Sequence, residues 1–229
     1  MTKSAPCPKC GTRVEYETLV IFGRQMDIVP CCDDCEAIQT ATFAENQRRE
    51  NWKRLYAQKM PAGYQRSSPD QISEEFSMAM LWNPAKYYGG LGLVGQAGSG
   101  KSSALACVLC KLETPFLWWS GTEARDAAIE AATADKDREG ANRRWEHAMR
   151  VPILVLDDVS QGKFTESWSS KMFDLLETRL SARLPTFWTC QIAIQEFMQK
   201  IISQNQGDVA QAQAITRRLD QHSLVLEMP

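Results

Sequence analysis

No run of about 18 apolar residues occurs in this 229-residue chain, so the sequence offers no membrane-spanning helix. Its polar, cysteine-rich start does not read as a secretory signal either. An excess of one charge is missing too: 26 Lys and Arg against 28 Asp and Glu leave a net charge of −2. That near-balance excludes a global attraction to nucleic acid or membrane, and any polyanion contact must come from local patches. There is no internal repeat and no low-complexity tract. Histidine is down to two residues, and no histidine or carboxylate pattern leaves a metal with an open position, so a catalytic zinc is not indicated. Together these absences leave a globular protein, expected in a cytoplasm, bacterial or phage-infected. An apolar share of 44% suffices for a core, and the length suits one α/β domain with a small extra module.

Cysteine, by contrast, is plentiful and unevenly spread. Cys107, Cys110 and Cys190 sit in apolar segments and read as small core residues. Cys7, Cys10, Cys31, Cys32 and Cys35 crowd the first 35 residues. In a reducing compartment such a cluster indicates a metal rather than disulfides. Cys7-Pro-Lys-Cys10 and Cys32-Asp-Asp-Cys35 are two C-x₂-C knuckles, with a separation slightly longer than the usual range. Between them, Val14–Phe22, a turn at Gly23 and Met26–Val29 outline a hairpin, so residues 1–35 read as a zinc ribbon. Four thiolates on one Zn2+ make a closed structural site, and metal binding then supplies the folding energy that so short a module lacks. Cys31 competes with Cys32 for the third position; Cys32 restores the two-residue spacing.

Residues 36–74 follow as a helix and linker. The helix is expected over 36–59, with Phe43, Trp52, Leu55 and Tyr56 in one stripe. Arg48, Arg49, Lys53, Arg54 and Lys59 surround it, as a solvated face or a nucleic-acid contact. Pro61-Ala-Gly through Ser67-Ser-Pro69 breaks the pattern.

Residues 75–229 form the core domain. Strands are expected at Gly90–Val94, Pro115–Ser120, Val151–Leu156, Thr186–Cys190 and Leu224–Leu226. Helices fill the gaps, near 101–112, 122–148, 166–183, 194–203 and 208–220. This alternation argues for an α/β fold, a parallel sheet covered on both faces.

The chain is organised around Gly95-Gln96-Ala97-Gly98-Ser99-Gly100-Lys101-Ser102, a GxxxxGK[ST] pattern between an apolar strand and an apolar helix. Its glycines let backbone N–H groups approach phosphates, and the helix that begins here, with Ser103 in its first turn, presents its positive end. Lys101 would reach the β- and γ-phosphates of a nucleotide, and Ser102 would ligate Mg2+. The buried strand ending Asp157-Asp158 supplies carboxylates where parallel sheets bind ligands: Asp157 for Mg2+ and Asp158 to polarise the attacking water. Gln191, ending a third core strand, could contact the γ-phosphate or that water. Arg217 and Arg218, near the C-terminal end, could complete a neighbouring subunit's site or form a solvated or salt-bridged pair.

The glycine loop, the Asp-Asp strand, the polar strand end and the Arg-Leu before a last strand occur in an order that resembles the AAA+ ATPases of the DnaC/DnaI helicase-loader group and the related IstB-type transposition helpers. The resemblance spans roughly residues 75–229; the zinc ribbon ahead of it looks like that of some loader homologues. It implies a five-stranded parallel AAA+ (ASCE) core of order 5-1-4-3-2, Mg2+ and ATP, and a homo-oligomer with nucleotide at subunit interfaces. It also implies that Gln191 is the first sensor and Arg218 the arginine finger, with Arg217 the fallback, and that Arg138, Arg143 and Arg144 help line a single-stranded DNA path. Gln191 departs from the family's frequent Asn, while Asp158 suits the loader group. The pattern shows no C-terminal lid, which fits loaders and transposition helpers.

The expected function is therefore ATP hydrolysis by a DNA replication factor that loads or regulates a replicative helicase on single-stranded DNA. The alternatives are an IstB-like transposition helper and a non-hydrolysing ATP-dependent adaptor.

Overall fold

A computed structural model describes residues 2–21, 24–133 and 138–227 and divides the chain into two compact units, residues 1–53 and 54–229. In the first, β1 (Lys3–Pro6) pairs antiparallel with β2 (Arg13–Tyr16), and β3 (Leu19–Ile21) with β4 (Arg24–Met26). The expected hairpin is present in its inner part, β3 with β4, while the outer part of its first arm, β2, belongs to a second ribbon with β1. Val14 and Leu19 fall on strands with different partners, because the first knuckle itself forms the turn between β1 and β2. The turn expected at Gly23, and Phe22 beside it, lie outside the described residues.

Helix α1 (Asp33–Lys59) has acidic residues in its first turn and Lys59 in its last, both favourable to the helix dipole. The stripe expected along it is incomplete: Trp52 is buried, but Phe43 is 64% exposed. Arg49 and Lys53 pair with Glu45 and Glu50 on their own helix, as a solvated face does.

The second unit holds a five-stranded parallel sheet built from β5 (Gly90–Val94), β6 (Phe116–Ser120), β7 (Ile153–Asp157), β8 (Thr186–Cys190) and β9 (Ser223–Glu227). Its order, β6-β7-β8-β5-β9, is the expected 5-1-4-3-2 counted in core strands. Strands β5 and β8 are buried throughout, which is why they read as apolar runs rather than alternating ones. Gly92 sits opposite Trp188 in the register, and a Cβ there would lie 2.3 Å from the indole; the missing side chain makes room for the largest core ring.

Helices α4 (Gly121–Thr133), α5 (Arg138–Arg150), α6 (Glu166–Ser181), α7 (Ile194–Gln204) and α8 (Val209–Asp220) build one cluster with Leu154, Leu156, Trp188 and Cys190. The other face carries α3 (Lys101–Leu112) and the segment holding the short α2 (Glu74–Ser77), with Trp82 edge-on to Phe187 at 4.8 Å. Residues 134–137, inside the helical stretch expected over 122–148, lie outside the described residues. Of the three cysteines read as core, Cys107 and Cys190 are buried and Cys110 is exposed.

Arg179 is fully buried on α6. Its guanidinium donates to the carbonyls of Ala148, Val151 and Pro185 and to Thr186 Oγ1, at 2.7–3.0 Å. It thereby ties the end of α5 to the starts of β7 and β8. Burial lowers its pKa to about 9, so it remains a cation at neutral pH.

Candidate functional site

Strand β5 delivers the chain into the glycine loop at the carboxyl ends of the strands, where open α/β sheets place ligands. Gly98 (φ +82°) and Gly100 (φ +88°) take the left-handed conformation that a side chain would strain. The N–H of Gly95 donates to Cys190 O at 3.1 Å, tying the loop to the end of β8. Lys101 is 6% exposed and curls beneath the loop, its ammonium donating to Gly95 O (2.6 Å), Gln96 O (2.7 Å) and Ser99 Oγ (3.3 Å). Desolvation lowers its pKa, partly opposed by the charges of Asp158 and Asp157.

Ser102 Oγ donates to Asp157 Oδ1 at 2.7 Å, which joins the start of α3 to the end of β7. The same carboxylate oxygen receives the hydroxyl of Thr189 at 2.7 Å, and Thr189 Oγ1 in turn accepts the N–H of Asp158 at 2.7 Å. Asp158 itself has φ +59°, and a Cβ on Gly121 would come within 2.3 Å of its carbonyl oxygen. A non-glycine residue in this region is held there by its surroundings. Its carboxylate accepts Ser160 Oγ at 2.6 Å on one oxygen and Gln191 Nε2 on the other. Lys200 donates to Ser160 O at 2.5 Å.

Lys101, Ser102, Asp157, Asp158 and Gln191 therefore converge, together with three residues that sequence reasoning missed: Thr189, Ser160 and Lys200. Thr189 had a readable signal, since it lies two residues before Gln191 and strand periodicity puts both on one side. Ser160 and Lys200 lie on a loop and a later helix, with no motif to mark them.

Arg218 is not part of this group. It pairs with Glu177 and lies 4.3 Å from the centroid of the Phe173 ring. It lines a crevice with Gly89 and Thr186 at the amino ends of β5 and β8, the end of the strands opposite the glycine loop. Arg217 is exposed and lines a separate groove between α7 and α8 with Met198 and Asp220. On α5, Arg143 and Arg144 are engaged by Glu139 (3.3 Å) and Glu130 (3.0 Å), while the side chain of Arg138 lies outside what is described.

In the first unit the sulfurs of Cys7, Cys10, Cys32 and Cys35 all lie within 4.8 Å of one another, and Cys31 is not among them. Tetrahedral Zn2+ with Zn–S bonds of about 2.3 Å needs sulfurs about 3.8 Å apart, so this donor set fits. Cys10 and Cys32 approach to 3.4 Å, and the Cys32 N–H points at Cys7 Sγ from 3.4 Å. Backbone N–H groups of Cys10, Cys32 and Lys9 draw the Cys7 pKa down to about 6. Interactions with Cys10 and Cys32 push that of Cys35 up to about 12. Four thiols so close cannot all ionise unless a cation sits among them.

No protein-family model and no curated protein matches this sequence. Solved structures do match. A DnaI structure superposes with a TM-score of 0.60 at 20% identity, covering 74% of this chain and 95% of that one. A DnaC helicase loader gives 0.57 at 14% identity, covering 74% and 100%. A replication initiator, DnaA bound to AMPPCP and single-stranded DNA, gives 0.54 at 16%, covering 74% and 50%. The core thus shares the fold of the DnaI, DnaC and DnaA structures it superposes on.

Proposed function

We propose that this chain binds ATP with Mg2+ at the glycine loop, hydrolyses it, and acts in DNA replication by loading or regulating a replicative helicase on single-stranded DNA. The observation that carries this reading is the convergence of Lys101, Ser102, Asp157, Asp158 and Gln191 at one edge of an AAA+ sheet. Ser102 and Asp157 would hold Mg2+, which supplies charge neutralisation for the β- and γ-phosphates when bound. Lys101 would exchange its loop carbonyls for phosphate oxygens. Asp158 would orient and polarise water once Gln191 turns to the γ-phosphate.

Arg218 lies at the amino ends of the strands, away from the glycine loop, so a second copy would have to deliver it; hence a homo-oligomer with nucleotide at its interfaces. The Cys7, Cys10, Cys32 and Cys35 set would hold Zn2+, and the ribbon would grip the helicase or another partner. DNA-stimulated ATPase activity that Lys101→Ala abolishes, together with co-purification with a ring helicase, tests the proposal. Absence of both would refute it.

The adaptor reading is favoured by one observation: both oxygens of Asp158 are occupied, by Ser160 and Gln191. If that arrangement persists with nucleotide bound, ATP acts as an assembly signal and no phosphate is released.

A further inference from the structure

A cavity of about 190 Å³ opens over the glycine loop, and one of its walls is not part of the loop: Tyr64 lines it beside Gly98, Gly100, Ser102 and Ser103. A Cβ built on Gly98 or on Gly100 would meet nothing within 4 Å, so the space above the loop is open. Tyr64 is well held. It closes a 3-10 turn through its N–H to Pro61 O (2.8 Å), and its ring rests on Trp118, with centroids 5.4 Å apart. The next residue, Gln65, donates to Ala57 O (3.0 Å) and Met60 O (3.1 Å), anchoring the turn to the end of α1. The ring is half-buried, backed on Trp118 and facing the cavity.

From the occupancy of the glycine loop proposed above, we infer that Tyr64 is the platform on which the nucleobase of the bound nucleotide stacks. The direction follows from Ser102. Its hydroxyl faces Asp157, so Ser102 and Asp157 would hold a metal there, and the β- and γ-phosphates would lie on that side. Ser103 is turned about 100° further round the helix, away from Asp157. The α-phosphate and the nucleoside it carries leave on that side, past Ser103, toward Tyr64. The cavity has room for phosphates but not for a purine as well, so the base extends onto the open face of the half-buried ring. A larger cavity of about 480 Å³ lies at the other end of the loop, beside Gln96 and Gln191. It is flanked by Glu196 and Glu227, whose carboxylates disfavour a polyphosphate entering from that side.

Because every base has a π-face, such a platform adds affinity without choosing among bases. The test measures equilibrium binding of ATP and of inorganic tripolyphosphate, both with Mg2+, to the full chain. Tyr64→Ala is expected to weaken ATP roughly tenfold and leave tripolyphosphate unchanged, while Tyr64→Phe retains both affinities. Unchanged ATP binding by Tyr64→Ala, or an equal loss for both ligands, overturns the platform. Undiminished binding of both ligands by Lys101→Ala would instead overturn the glycine loop as the phosphate site, a separate failure.

Discussion

Ser102 and Asp157, 55 residues apart in sequence, share a hydrogen bond of 2.7 Å between the first turn of α3 and the last residue of β7. The contact sets the distance across which a divalent cation would be held. Thr189 reaches the same Asp157 oxygen from β8, so two hydroxyls pin Oδ1.

Thr189 is accordingly a positioning residue. Thr189→Val keeps the shape but removes the hydroxyl that links Asp157 to the Asp158 N–H. The variant is expected to need about tenfold more Mg2+ for half-maximal ATPase activity, the equivalent of one buried hydrogen bond to a charged group. Thr189→Ser should restore the wild-type requirement. A Mg2+ titration in which Val and Thr coincide would remove Thr189 from the site.

Alkaline pH should weaken nucleotide binding earlier than an ordinary lysine would allow. The folded-state pKa of Lys101 lies below its usual 10.5, so its ammonium loses its proton before the unfolded chain's does. Between the two values the unfolded state binds more protons, so this group makes the unliganded fold relatively more stable as pH rises. Over the same window the charge that attracts phosphate is lost. Binding titrations across that range should show ATP affinity falling while the melting temperature does not fall with it.

Arg179 is buried and holds four acceptors with one guanidinium. Arg179→Met strands several carbonyls and is expected to cost about 3 kcal/mol or more, read as the loss in unfolding free energy by denaturant titration. Arg179→Lys should recover little, because one ammonium cannot span four acceptors set around a planar fork.

Purified protein should carry one equivalent of zinc, and elemental analysis of Cys variants will check which thiols hold it. Cys32→Ser should lose the metal and Cys31→Ser should keep it. The reverse pattern would contradict the placement of Cys31 outside the four-sulfur group.

For Arg218, the expected behaviour is nearly normal ATP binding by Arg218→Ala with turnover lowered at least tenfold. Mixed with Lys101→Ala subunits it should regain some activity, since in the proposed oligomer the two defects would lie on opposite sides of a shared interface. If mixing restores nothing while Arg217→Ala shows the deficit instead, the exposed Arg217 is the finger.

How far the sequence alone reached depends on how local each feature is. The glycine loop is eight contiguous residues whose conformation rests on its own glycines, and the five core strands are apolar runs bounded by breakers; both are written in short stretches of chain. The pair Asp157-Asp158 is legible for the same reason, as charge where an apolar strand ends. What the chain does not spell out locally was decided by tertiary structure. Cys32 rather than Cys31 joins the cluster because only one of two adjacent thiols can point inward. Thr189 and Ser160 become site residues because β7 and β8 are neighbours. Tyr64 reaches the loop because a turn anchored on α1 and Trp118 leads it there. Arg218 meets Glu177 because α6 and α8 pack together, which no motif around either residue announces. Spacing along a chain sets what a segment can form, but side chains far apart in sequence find their partners only through packing.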